Sequence, residues 1–221
     1  LIVVPRGIDT QLFCPSKRSL KLRETWGVSE NTTVLISVGR LAAEKNLDVV
    51  IDTFQFIQNR GHDIRLVFVG DGPLRSHLER RCPEAIFCGV QRGESLASHY
   101  ASGDVFLFPS LTETFGNVTI EAMACGLAVV AFNRAAARQL IYHDSNGLLA
   151  ESEDHETFVS QAHRVVADRV LRGQLRHRAR QSSLKNGWDS VLDQTEEVLR
   201  RASHQNSFIE GLSRPIYARV G

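Results

Sequence analysis

Short, almost wholly apolar runs recur along this chain at residues 34–38, 64–69, 85–88, 105–108 and 128–132, and a segment of helical period follows each of them. A strand with one wet face alternates apolar and polar residues, so runs that are apolar at nearly every position belong to strands covered on both faces. Parallel neighbours need a crossover long enough to hold a helix, and the intervening segments supply it. The pattern therefore predicts an α/β fold, a parallel sheet with helices on both faces. Ligands of such sheets bind in the crevice beyond the carboxyl ends of the strands. The residues just past each apolar run are thus the first candidates for function.

The remaining segments fit that frame. Residues 47–57 carry apolar side chains at helical spacing (Leu47, Val50, Ile51, Phe54, Ile57), with Gly61 where a helix stop is expected. Pro73 is placed to open a helix over 74–81, and further helices are predicted over 17–26, 94–101, 117–124 and 134–141. An apolar run at 1–4 opens the chain mid-strand, without an initiator Met, and residues 147–150 read as a last strand. From Asp154 the pattern is helical, to 167, over 171–185 and over 188–202, and 203–221 lack a clear period. The expected division is a linker region at 1–16, one domain at 17–202 with closing helices, and a tail at 203–221.

Composition excludes several classes. With 221 residues, 43% apolar, and a net charge of +1, the chain suits a soluble globular domain that buries a substantial core. No run reaches the roughly 18 apolar residues of a membrane span, and no basic segment followed by an apolar one marks a signal peptide. Cys14, Cys82, Cys88 and Cys125 form no CxxC pair, so they read as reduced, small hydrophobic residues of a cytosolic protein. The Cys/His spacing of a structural zinc site is missing. Most of the eight histidines read as surface residues.

The stretch 108–132, FPSLTETFGNVTIEAMACGLAVVAF, holds a strand end, a polar loop, a helix from Asn117 and the next strand. Glu113 lies in the loop and Glu121 in the second turn of the helix, with seven residues between them. The helix start offers unpaired N–H groups and a positive dipole end to a phosphate. Across the sheet, GRLAAEKN at 39–46 follows the first strand, where Gly39 lets a ligand approach the backbone and Arg40 and Lys45 bring two cations. A pyrophosphate leaving group needs such charge, and no Asp-x-Asp occurs to hold a metal in its place. The alternative has Arg40 and Lys45 pairing with Glu44 or Asp48 on a helix surface.

Other features divide between function and architecture. Gly70-Asp71-Gly72 could cradle a phosphate or simply turn tightly; GxGxxG is absent, which removes most support for dinucleotide binding. Glu113 and Glu121, set across a loop and a helix turn, fit ligand contacts at two places better than a hydrolase pair. The arginines at 164, 169, 172, 176, 178 and 180 read as a solvated outer helix face rather than a lipid or nucleic-acid surface, since aromatic residues are lacking there.

GRLAAEKN, FVGDGP, FCGV and above all PSLTETFGNVTIEAMACGLAVVA resemble the C-terminal, donor-binding half of the GT-B glycosyltransferases of family 4, whose signature is the E-x7-E motif. VVPRGIDTQLFCP resembles that family's interdomain linker, and residues from Trp188 its closing helix. The resemblance spans roughly residues 3–199 and implies a Rossmann-like sheet as the C-terminal half of a GT-B fold. It implies that Arg40 and Lys45 contact the donor diphosphate, that Glu121 binds the ribose hydroxyls, and that Glu113 lies beside the donor sugar. It also implies that Gly39, Thr114, Phe115, Gly116, Asn117 and Val118 hold sugar and phosphate, and that Gly89 and Val90 grip the base. The implied activity is retaining hexosyl transfer from a UDP- or GDP-sugar to an unknown acceptor, without a metal or other cofactor. The implied partners are the nucleotide-sugar donor and an N-terminal acceptor domain, without which little turnover is expected, and not nucleic acid. The implied location is the cytoplasm or the inner face of the membrane. A GT-B epimerase, a phosphorylase and a non-catalytic scaffold remain the alternatives.

Overall fold

The structure, a computed structural model, describes residues 7–112 and 117–212, the side chains of 202–212 excepted. Six parallel strands form one sheet: β1 (Thr33–Val38), β2 (Ile64–Val69), β3 (Ile86–Phe87), β4 (Val105–Phe108), β5 (Ala128–Phe132) and β6 (Leu148–Ala150), in the order β3-β2-β1-β4-β5-β6. The chain first winds outward from β1 to β3, then returns to lay β4 on the other side of β1. Between β1 and β4 the two crossovers diverge, which opens a crevice at the carboxyl ends.

Period-two alternation divides the apolar residues between two cores. Leu35, Leu66, Phe68, Leu107, Val130 and Phe132 face one side, where α2 (Leu47–Gln58) and α7 (His155–Ala167) cover them with Phe54, Ile57 and Phe158. Val34, Ile36, Val67, Phe106 and Val129 face the other, under α4 (Gly93–Ser102) and α5 (Asn117–Ala124) with Tyr100, Ile120 and Met123. All of these core side chains are buried, and each fully buried large apolar one contributes about 1.5–3 kcal/mol. Among the described residues no helix is long and apolar enough to cross a membrane.

The basic segment departs from the expected solvated face. On α8 (Arg169–Leu184), Arg172, Arg176 and Arg180 recur every four residues and turn inward. Arg172 donates to the carbonyls of Val165 and Val166 at 3.0 and 2.8 Å, at the end of α7. Arg176 donates to Gly126 O at 2.7 Å, and Arg180 to Ala124 O at 2.9 Å, closing α5, and also to Phe13 O and Thr10 O. Cations are favoured where helix carbonyls end unpaired. Most of their acceptors are backbone atoms, and Arg176 also reaches the Asp104 carboxylate at 3.2 Å, contacts that no side-chain pattern reveals. Arg169 and Arg178 are exposed, as expected.

The other differences lie at the ends of strands and helices, including β1, β3, β6, α3 (Arg75–Arg81) and α6 (Ala135–Leu140). The first helix is α1 (Leu20–Thr25), preceded by a 3-10 turn, and α8 opens at Arg169 because the Asp168 carboxylate caps Val170 N and Leu171 N, both at 2.9 Å. The last helix, α9 (Trp188–Leu212), runs ten residues past the expected end at Ala202, into the stretch read as a tail. Propagation adds one hydrogen bond per residue, and no proline occurs before Pro215 to stop it. Residues 1–4 lie outside the described residues.

Candidate functional site

The loops that leave β1, β2 and β3 are packed backbone to backbone. Gly39 N donates to Val69 O at 2.9 Å, Leu41 N to Asp71 O at 2.9 Å, and Gly70 N to Gly89 O at 2.8 Å. These bonds support the tight-turn reading of Gly70-Asp71-Gly72, yet the turn also forms part of a cavity wall. On the other side of the crevice, Leu111 N donates to Glu44 O at 2.9 Å. That bond ties the loop after β4 to the turn that carries Lys45.

A cavity of 330 Å³ opens between these loops, α4 and α5, lined by Val38, Gly39, Arg40, Val69, Gly70, Asp71, Val90, Gln91, Leu96, Val118 and Glu121. Its size is at the lower end of small-ligand pockets, about 300–1,000 Å³. Its wall is mostly apolar, with one cation and two carboxylates. Arg40 is exposed, whereas Glu121 is half-buried on α5. Asp71 is held below the ordinary carboxylate range by the Gly72 amide first and then by the Arg75 guanidinium. It therefore keeps its charge at neutral pH.

The expected site residues fall into four groups. Gly39, Arg40, Val90, Val118 and Glu121 line this one cavity. Lys45 lines an adjoining small recess with Arg40, its Nζ 5.7 Å from the centre of the Phe108 ring at the end of β4. Gly89 stands at a φ of +67° and accepts from Gly70, and Asn117 starts α5. Glu113, Thr114, Phe115 and Gly116 lie outside the described residues. The pairing of Arg40 or Lys45 with Asp48 does not form; the Asp48 carboxylate accepts from Arg81 and from His77 instead.

Sequence reasoning missed Gln91 and Leu96 in the wall, and Tyr100 behind it. Gln91 is oriented by its own bonds, donating to Cys88 O at 2.8 Å and accepting from Ser95 Oγ at 2.6 Å. Tyr100 is fully buried and donates to Glu121 Oε2 at 3.0 Å. The signal for Tyr100 was a polar hydroxyl in a helix that must pack on an apolar sheet, since buried tyrosines find a partner for that hydroxyl. The four cysteines are free, and burial pushes Cys82 up to about 11 and raises Cys88 and Cys125 as well. Such thiols are inert.

A second cavity of 460 Å³ lies on the other face, lined by Phe56, His155, Glu156, Val159, Ser160 and His163. There His62 Nε2 and His163 Nε2 stand 3.2 Å apart, so one carries the shared proton and the other accepts it. Burial first, then the charges of His62 and Arg60, lower the pKa of His163. The folded state therefore binds fewer protons than the unfolded chain, whose imidazole titrates near 6.5. Stability present above that pH is lost as the pH falls through it toward the folded value. We expect the thermal midpoint to fall between about pH 7.5 and pH 5.5, and His163→Gln to reduce that fall; an identical fall in the variant would refute the assignment.

Comparison with known proteins finds others similar to this chain in sequence and fold. A family model described as glycosyl transferases group 1 matches residues 32–168. Over 196 residues the chain is 36% identical to a GDP-mannose-dependent alpha-mannosyltransferase of Corynebacterium glutamicum, covering 88% of this chain and 44% of that protein. In structure it is similar to sucrose-phosphate synthase from Thermosynechococcus elongatus, with a TM-score of 0.78 at 23% identity, over 92% of this chain and 53% of the other. It is also similar to Anabaena Alr3699/HepE solved with UDP, with a TM-score of 0.77 at 24% identity, over 88% and 56%. The chain spans about half the length of the curated relatives it matches.

Proposed function

The chain belongs to the glycosyl transferases of group 1, with the Rossmann-like α/β fold of the GT-B glycosyltransferases, and from that premise we propose that it is the donor-binding half of a retaining, family 4 hexosyltransferase. Its donor is a UDP- or GDP-sugar. The observation that carries this reading is that Arg40 and Glu121, from opposite sides of the β1/β4 crevice, line one cavity beside Lys45. A nucleoside diphosphate needs both ends of that arrangement: a carboxylate to accept from ribose hydroxyls, and cations for the diphosphate.

In this reading the chain's own residues act mainly through electrostatics. As the bond from sugar to phosphate breaks, negative charge grows on the departing diphosphate and positive charge on the sugar. In the proposal Arg40, Lys45 and the N-terminal end of α5, whose first turn holds no acid, stabilise the negative charge as it develops. Cations can serve in place of a metal, and the proposed transfer uses none. The acceptor hydroxyl attacks from the face the phosphate leaves, which retains configuration, and passes its proton to the departing diphosphate oxygen; the proposal puts Glu113 beside the sugar. Gly89, Thr114, Phe115, Gly116 and Asn117 complete the proposed donor contacts. The acceptor is bound by a further domain, on the cytoplasmic side, so this chain alone turns over little. The relative's name, a mannosyltransferase, supports transfer over epimerisation.

The test is calorimetric titration of the chain with GDP, UDP and ADP in the presence of EDTA. One nucleotide is expected to bind in preference, and Lys45→Ala and Glu121→Ala are each expected to weaken it about tenfold, or about 1.4 kcal/mol. Unchanged affinity in both variants would place the nucleotide elsewhere. A strict metal requirement would remove the electrostatic part of the proposal.

A further inference from the structure

We propose that Tyr100 is a positioning residue for Glu121, fixing the carboxylate so that the cavity tells a ribonucleotide from its deoxy counterpart. The proposal rests on the nucleotide reading of the cavity. Its evidence is the geometry beneath that cavity. Tyr100 comes from α4 and Glu121 from α5, so the bond of 3.0 Å joins two helices that wall the site. The phenol ring is held edge-on by Phe13 and by Phe106, with each pair of ring centres 6.0 Å apart. Having no exposed surface, the ring has no room to swing its hydroxyl elsewhere.

That rigidity is passed to a side chain that lacks it. Glutamate has three rotatable bonds, and a half-buried one at the edge of a cavity can take several rotamers. A carboxylate bound at one oxygen by a buried hydroxyl keeps its plane and its depth. It still has acceptor capacity, since an ionised carboxyl has about four lone-pair sites. A carboxylate whose plane is already set accepts two neighbouring ribose hydroxyls together at a lower ordering cost than a mobile one. Tyr100 touches no ligand in this arrangement; it acts through Glu121.

The experiment is Tyr100→Phe, which removes one oxygen and keeps the ring. GDP, UDP and their 2′,3′-dideoxy forms are titrated into the native chain, Tyr100→Phe, Glu121→Ala and the double variant. The native chain should prefer the ribonucleotide. Tyr100→Phe should lose about fivefold in affinity for it while binding the dideoxy form as before. The double variant should match Glu121→Ala, because Tyr100 has then nothing to position. If Tyr100→Phe lowers the thermal midpoint yet discriminates as the native chain does, the tyrosine is only structural and the proposal falls. If Tyr100→Phe does not fold, Glu121→Gln, which keeps an acceptor for Tyr100, must retain part of the ribose preference that Glu121→Ala loses, or the proposal falls. If the native chain shows no ribose preference and Glu121→Ala binds as well as it does, the nucleotide reading fails and takes the proposal with it.

Discussion

Asp104→Ala is expected to destabilise the chain by about 3–5 kcal/mol, lowering the thermal midpoint by roughly 10 °C for a chain of this length. Its carboxylate is almost fully buried and accepts from three guanidinium groups: Arg18 at 3.1 Å, Arg23 at 3.1 Å and Arg176 at 3.2 Å. It also accepts from Val34 N at 2.9 Å, at the start of the central strand. Arg23 is only 2% exposed, so without Asp104 a cation would remain out of water beside two others. The remaining donors of these arginines reach backbone carbonyls, including Ser102 O, Ser29 O and Thr32 O for Arg23. One residue thus fastens α1, α8 and β1 around the start of β4. Urea unfolding would show the effect as a lower midpoint with an unchanged slope, and Asp104→Asn, which keeps the shape but not the charge, should fall between. A loss under about 1 kcal/mol would mean that the arginines find enough in the carbonyls alone.

Asp104 also shows where sequence reading stops. The strands around it were legible because each is a short apolar run bounded by Gly, Pro or polar residues; β2, β4 and β5 and the helix α5 have the bounds their patterns predict. A carboxylate just before such a run reads as a loop residue. Only the assembled fold shows that arginines 86, 81 and 72 positions away converge on it. The same distinction holds in the cavity. Gly39, Arg40, Val90, Val118 and Glu121 stand just past a strand or in the opening turns of α5, and parallel topology alone gathers such positions at one edge of the sheet. Gln91 and Leu96 reach it, and Tyr100 reaches Glu121 behind it, through the direction their side chains take from α4 and the loop before it. Nothing in their spacing distinguishes them from ordinary surface or core residues.

Gly70→Ala is expected to abolish nucleotide binding, with a loss of more than about a hundredfold, and to cost about 2–4 kcal/mol of stability. An added Cβ would stand 1.9 Å from Gly39 O and 2.9 Å from Gly39 C, both backbone atoms, at a φ of +139° that L side chains rarely adopt. Relief requires the ends of β1 and β2 to part by more than an ångström, breaking the bonds from Gly39 N to Val69 O and from Leu41 N to Asp71 O. Gly39→Ala separates the two causes. Gly39 has a similar φ of +140° but no atom within 4 Å of its added Cβ, so it should cost only the conformational part, about 1–2 kcal/mol. If both variants cost the same and bind alike, crowding of the strand ends is not what shapes the cavity. The contrast with Lys45→Ala and Glu121→Ala follows from where each residue acts. Those side chains reach the ligand from the scaffold, so Lys45→Ala should weaken binding and leave the unfolding midpoint nearly unchanged, whereas Glu121→Ala also removes the acceptor of the buried Tyr100 hydroxyl and should cost about 1–3 kcal/mol besides. Gly70 is part of that scaffold, because the close approach it permits brings Arg40 and Asp71 to the same wall, and its loss should lower affinity and stability together.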